Sequence, residues 1–133
     1  MTYADLLGLL SELEAIADEQ EKLASRGRLF AEESKQCATA ADAMRLADAL
    51  RIRTFDVEQK ELGSRVSRRW AAFTSGAEAA QAEGRLDEAQ TLDLTRHVYS
   101  VREQFVRSAE AFRGMDEAVQ ASILDLKNRL GMA

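Results

Sequence analysis

The chain has 133 residues, of which 46% are apolar and 31% charged, with a formal net charge of −5 and no proline. This length fits a single domain, residues 1–133, and the apolar content excludes a disordered chain. Strong helix formers such as alanine, leucine, glutamate and arginine are abundant, whereas the β-branched runs of a sheet are missing, so we predict an all-α protein. The acidic balance makes nucleic acid an unlikely partner, because phosphates require a basic surface.

The first predicted helix covers residues 3–36. Thr2 followed by Asp5 is typical of a helix N-cap with an acidic residue in the first turn. Apolar residues then recur at three- and four-residue steps, which is the spacing of one helical face. They include Tyr3, Leu6, Leu10, Leu13 and Ala17. The pattern thins near Gly27, where we expect a bend.

The second predicted helix covers residues 40–73. Small residues at 37–42, with a second cap formed by Thr39 and Asp42, indicate either a tight break or a kink in one longer helix. Two apolar stripes along the second helix indicate that more than one of its sides is buried. Glycines at 76 and 84 predict that segment 74–84 is the connection to the third helix, either without helix or with a helical turn at 77–82.

The third predicted helix covers residues 86–130 and carries the strongest pattern. Its apolar seam alternates steps of four and three over more than four heptads, which is typical of coiled-coil packing. The seam consists of Leu94, Val98, Val101, Phe105, Ser108, Phe112, Met115, Val119, Ser122 and Leu126. Such a helix is about 67 Å long at about 1.5 Å per residue. We therefore predict an elongated antiparallel bundle of three long helices.

Few residues in this sequence are suited to catalysis. His97 is the only histidine and Cys37 the only cysteine, and no Glu-x-x-His pair or glycine-rich phosphate loop occurs. We therefore predict that the chain is not an enzyme and has no metal, cofactor or small-molecule substrate. A lone cysteine and the absence of a signal-peptide pattern or a long apolar run favour a cytoplasmic location.

One unusual cluster lies near the end of the second predicted helix. Arg65, Arg68, Arg69 and Trp70 are candidates for contact with a partner or with an anionic headgroup. The alternative is that Trp70 packs into the bundle while the arginines pair with acids of the third helix.

Several apolar residues lie away from the main stripe of their helices. A single bundle core does not need these additional apolar residues, which are Leu7, Leu9, Val57 and Val106. A contiguous apolar patch is unusual on a monomer, so these four residues predict self-association, most simply as an isologous homodimer. The alternative is that a bent first helix folds over the other two helices and buries the wide stripe.

Two stretches resemble the BAR domains of sorting nexins. The first combines Leu23-Ala24, Phe30-Ala31 and residues 46–50, and the second follows the apolar spacing from Phe105 to Leu126. The resemblance implies a three-helix coiled coil that dimerises and binds curved membranes through a basic face. That face would use Arg45, Arg51, Arg53, Arg65, Arg68 and Arg69.

We therefore expect an interaction protein whose partner is another protein or a second copy of itself. A BAR-like scaffold would add peripheral contact with an anionic membrane. The alternative is a small acidic chaperone for secretion or flagellar export, a class that this chain resembles in its leucine-rich first helix. Such a chaperone would bind an amphipathic helix of its client.

Overall fold

The computed structural model describes residues 1–50 and 56–131, which form four helices and contain no strand. The helices are α1 (Tyr3–Ser34), α2 (Ala40–Leu50), α3 (Asp56–Ala82) and α4 (Glu88–Leu130). The predicted all-α class is confirmed. Residues 51–55 of the predicted second helix lie outside the described residues, as do Arg51 and Arg53.

The first predicted break is present as a tight break. α1 ends at Ser34 and α2 begins at Ala40. The hydroxyl of Thr39 accepts a hydrogen bond from the amide of Asp42 at 3.2 Å, so this threonine caps α2 as expected.

The predicted connection at 74–84 is wrong for most of its length, because α3 continues to Ala82. Gly76 serves close packing inside α3, since a Cβ there would overlap the sulfur of Met1 and lie 3.2 Å from a methyl of Leu6. Gly84 does mark the turn, with a φ of +69° that favours glycine. The chain then enters α4 through Asp87, whose carboxylate accepts the amide hydrogen of Gln90 at 2.7 Å.

α1 lies between α3 and α4. It runs antiparallel to α3, because Arg26 late in α1 contacts Glu58 at 2.6 Å, whereas Glu12 contacts Arg69 at 2.6 Å. It runs parallel to α4, because Tyr3 bonds Asp93 early in α4 and the Ser34 carbonyl accepts from Arg129 Nη2 at 2.7 Å.

The core is divided along the bundle into three clusters. The first joins α1, α3 and α4 through Leu6, Leu10, Leu13, Phe73, Ala80, Leu94 and Val101. The second joins Ile16, Leu23 and Leu62. The third, at the far end, joins Phe30, Ala43 and Leu126, so α2 covers the part of α1 and α4 that lies beyond α3.

Candidate interaction surface

Charged residues line the grooves on both sides of α1. Between α1 and α3, Arg65 contacts Glu19 at 2.9 Å and Arg26 contacts Glu58 at 2.6 Å. This groove has a volume of about 600 Å³ and also contains Lys22 and Glu61. The groove between α1 and α4, of about 500 Å³, is lined by Glu14, Ala15, Ala17, Asp18, Glu21, Gln104 and Arg107. Both grooves are therefore open to solvent and lined by charged side chains.

The groove between α3 and α4 is different. Among the described residues, no Cα atom of α3 lies within 8 Å of a Cα atom of α4, so their backbones do not pack closely. Their side chains leave a groove of about 290 Å³, in which Arg102 is the only charged residue. The groove is lined by Phe73, Ala77, Gln81, Leu86, Thr91, Leu94, Thr95, Val98, Tyr99 and Arg102. We call it the α3–α4 groove.

The groove residues Ala77 and Gln81 belong to a stripe of α3 that is uncharged over five turns. Six residues at alternating steps of four and three form what we call the α3 stripe: Gly63, Ser67, Trp70, Thr74, Ala77 and Gln81. Gly63, Ser67, Thr74 and Gln81 are exposed. A helical surface of small, uncharged residues allows another helix to approach closely.

On the other side of the groove, α4 has an exposed apolar row. Leu92, Tyr99 and Val106 recur every seven residues and are 52%, 63% and 58% exposed. With Thr95, Arg102 and Ala109, which are also exposed, they alternate steps of three and four. We call these six residues the outer stripe of α4. Exposed apolar side chains at this spacing are typical of a helix-packing surface.

Trp70 is half-buried and packs against the first core cluster, with its ring 5.8 Å from that of Phe73. The guanidinium of Arg102 lies 5.9 Å from the Trp70 ring centroid, which is a cation–π distance. The structure therefore assigns Trp70 to the edge of the core.

Two of the three arginines beside Trp70 form ion pairs. Arg65 contacts Glu19 and Arg69 contacts Glu12, so the acids are on α1, and the predicted pairing with the last helix is wrong for both. Arg68 is exposed. Arg45 contacts Asp42 of its own helix at 2.6 Å.

The four residues predicted to self-associate lie in two kinds of environment. Leu7 and Leu9 are half-buried and pack against the first core cluster. Val57 is 62% exposed at the start of α3, and Val106 belongs to the outer stripe of α4. Leu92 and Tyr99 were not among the predicted residues, although the seven-residue steps from Leu92 to Tyr99 to Val106 could have indicated them.

The described residues contain no cluster of three histidine, cysteine or acidic side chains able to hold a metal ion. His97 Nδ1 lies 2.9 Å from the Asp93 carbonyl oxygen of its own helix. Cys37 is half-buried, and its sulfur lies 3.8 Å from the Glu33 carbonyl oxygen. Within the described ranges, no helix is both long enough and apolar enough to cross a membrane.

The Tyr3 hydroxyl donates a hydrogen bond to the Asp93 carboxylate, which fixes the start of α1 against α4. This hydrogen bond, with smaller effects of burial and nearby carboxylates, raises the pKa of the Tyr3 phenol above its ordinary value of 10.0. Its contribution to stability is therefore fully present below that value and is lost as the pH rises through the higher folded pKa.

We expect wild type to be more stable than Tyr3→Phe at about pH 8, and the difference to shrink at about pH 11, where the phenol ionises. Urea midpoints of both proteins at the two pH values measure this. A difference that stays constant or widens with pH would contradict the assigned hydrogen bond.

No protein-family model, curated protein or solved structure matches this chain. The geometry of the chain itself therefore carries the functional argument.

Proposed function

We propose that this chain is a non-enzymatic protein-interaction module that binds a helix along the α3–α4 groove. The observation that carries the proposal is the difference between the three grooves. Ion pairs and acids line both grooves beside α1, whereas the α3–α4 groove contains one charged residue and several apolar ones. A helix partner gains stability by burying apolar area, and it gains most where few charges must be desolvated.

The proposal regards α1, α3 and α4 as an elongated bundle with coiled-coil packing. Four positions of the α4 seam at seven-residue spacing, Leu94, Val101, Ser108 and Met115, are buried. Because α3 and α4 do not pack closely, the space between these two helices can accept another helix. A fourth helix at that position would complete a four-helix arrangement, in which each helix contacts two neighbours.

The arginine cluster gives less support to a BAR-like membrane scaffold. Arg65 and Arg69 already contact acids of α1, which offsets their charge at the distances that matter for an anionic surface. A helix-binding role, as in the export-chaperone alternative, uses the groove itself and requires no basic face. A cytoplasmic location is part of this proposal, because a lone cysteine suits a reducing compartment.

Site-specific photo-crosslinking in the source cell tests the proposal. The photoreactive residue p-benzoylphenylalanine replaces Gln81, which is exposed and lines the groove, or Leu29, which is exposed on α1 outside the groove. We expect a discrete protein adduct from position 81 and none from position 29. Adding Ala77→Lys, which puts a second cation into the groove beside Arg102, should abolish that adduct.

Absence of an adduct at position 81, equal adducts at both positions, or an adduct that survives Ala77→Lys would each contradict a binding site in the α3–α4 groove. The mass of the adduct also distinguishes a second copy of the chain from another protein.

A further inference from the structure

The partner helix can be identified from the surface of α4, and this step rests on the proposed function. We propose that the face formed by the α3–α4 groove and the outer stripe of α4 is covered by the same face of a second copy of this chain. The two copies of α4 run antiparallel, with the two-fold axis between Tyr99 and Arg102. Each α4 then lies along the outer stripe of the other, and the two copies of α3 lie on the same side of this pair, with their α3 stripes towards one another.

The outer stripe of α4 has the spacing that an antiparallel helix pair requires. Its six residues alternate steps of three and four, and all six are exposed although the seam beside them is buried. Antiparallel helices pair residues of the two alternating positions across the contact. The chain therefore has a second heptad seam on its outer side. Its Thr95, Tyr99 and Arg102 border the α3–α4 groove, and Leu92, Val106 and Ala109 are exposed beside it.

In one register of the two antiparallel helices, each residue of the outer stripe has another residue of the stripe directly opposite it on the second copy. This register places Leu92 opposite Ala109 of the second copy, and Thr95 opposite Val106 of the second copy. The central layers place Tyr99 opposite Arg102 of the second copy, twice by symmetry. Arg102 is the only charged residue of the stripe, and here it meets an aromatic ring instead of another arginine.

The charges beside the stripe are complementary in the same register. Arg96 and Glu103 are exposed, and neither takes part in an ion pair within the part of the chain that the structure describes. The antiparallel arrangement brings Arg96 of each copy near Glu103 of the other. Arg96 lies 4.5 residues from the axis and Glu103 lies 2.5 residues from it on the other side, so their long side chains need to bridge an offset of only two residues, about 3 Å. Each charge then meets an opposite charge and not its own copy, which favours this pairing.

The expected interface is of modest size. The outer stripe, from Leu92 to Ala109, is about 27 Å long at about 1.5 Å per residue. Together with the α3 stripe, it would bury roughly 1,000 Å² over both copies, which is at the lower end of specific interfaces. We therefore expect a dissociation constant on the order of micromolar.

Sedimentation equilibrium of the purified full chain, from about 1 to 100 µM, tests the dimer. We expect wild type to rise from the 14.8 kDa of one chain towards twice that mass. Tyr99→Arg puts a second guanidinium opposite Arg102 of the other copy, twice by symmetry, and should remain near one-chain mass throughout. Leu124→Glu, at a residue 60% exposed on the same helix beyond the stripe, should associate like wild type. Circular dichroism establishes that each variant keeps its helix content.

Charge reversal tests the register. Arg96→Glu or Glu103→Arg alone should raise the dissociation constant about tenfold, because each change makes two symmetry-related repulsive contacts. The double variant restores opposite charges at both contacts and should return within about threefold of wild type.

A wild type that stays monomeric at about 100 µM, or a Tyr99→Arg variant that still dimerises, would overturn the homodimer. A double variant no better than the single reversals would overturn the register. A monomeric wild type leaves the groove itself to the photo-crosslinking test, so the two proposals can fail separately.

Discussion

Replacing Leu13 by alanine is expected to lower the free energy of unfolding by about 2–5 kcal/mol, because the substitution leaves a cavity at a fully buried site. Leu13 is 0% exposed and belongs to the cluster in which α1 contacts α3 and α4 together. A small domain has only about 5–15 kcal/mol of stability, so this is a large fraction of it. Urea denaturation at neutral pH measures the change.

The matched control is Leu29→Ala on the same helix, at a residue that is 56% exposed. A leucine in water loses little on truncation, so we expect a change within about 0.5 kcal/mol. Equal effects at Leu13 and Leu29 would contradict the position of α1 between the other two helices.

Replacing Phe30 by alanine is expected to cost about 3–5 kcal/mol of local stability at the far end of the bundle. Phe30 is 2% exposed and joins Ala43 of α2 to Leu126 of α4. Because α2 is short and contacts only α1 and α4 among the described helices, its protection should be lost first. Hydrogen–deuterium exchange of α2 peptides measures this, with α3 peptides as the internal reference.

Leu124→Ala provides the control for this second substitution. Leu124 lies at the same end of α4 but is 60% exposed, so its truncation should leave α2 exchange as in wild type. An α2 that exchanges at the wild-type rate in Phe30→Ala would show that this cluster does not hold α2 in place.

The first break and the all-α class could be predicted because local signals determine them. Propensity and the absence of proline indicate helices throughout, and the cap at Thr39 is formed by residues three apart. The apolar seam of α4 could also be predicted, since Leu94, Val101 and Met115 are buried at the expected heptad steps.

The predicted end of α3 lies too early in the sequence. Gly76 weakens a helix, but residues 77–82 are four alanines, a glutamate and a glutamine, which are strong helix formers and carry α3 on to Ala82. The glycine itself has a tertiary reason, because a Cβ at this position would overlap Met1 and lie 3.2 Å from a methyl of Leu6. Those contacts join residues far apart in the chain, so no local pattern contains them.

The candidate site was only partly readable from sequence. The cluster of Arg65, Arg68, Arg69 and Trp70 was conspicuous by its composition, but two of its arginines pair with α1. The α3 stripe consists of small, uncharged residues, so it resembles ordinary surface until the structure places it beside an open groove. These residues form a candidate binding surface only because α3 and α4 are separated by a groove. Sequence periodicity does not predict the relative position of these two helices.

Methyl NMR spectra recorded on dilution show directly which surface of the chain takes part in self-association. We expect the methyl resonances of Leu92 and Val106 to shift between about 100 and 1 µM, the range of the expected dissociation constant. Those of Leu29 and Leu124, exposed to a similar extent but outside the outer stripe of α4, should stay constant. Shifts confined to Leu29 and Leu124, or no concentration dependence at Leu92 and Val106, would show that the outer stripe of α4 is not the interface.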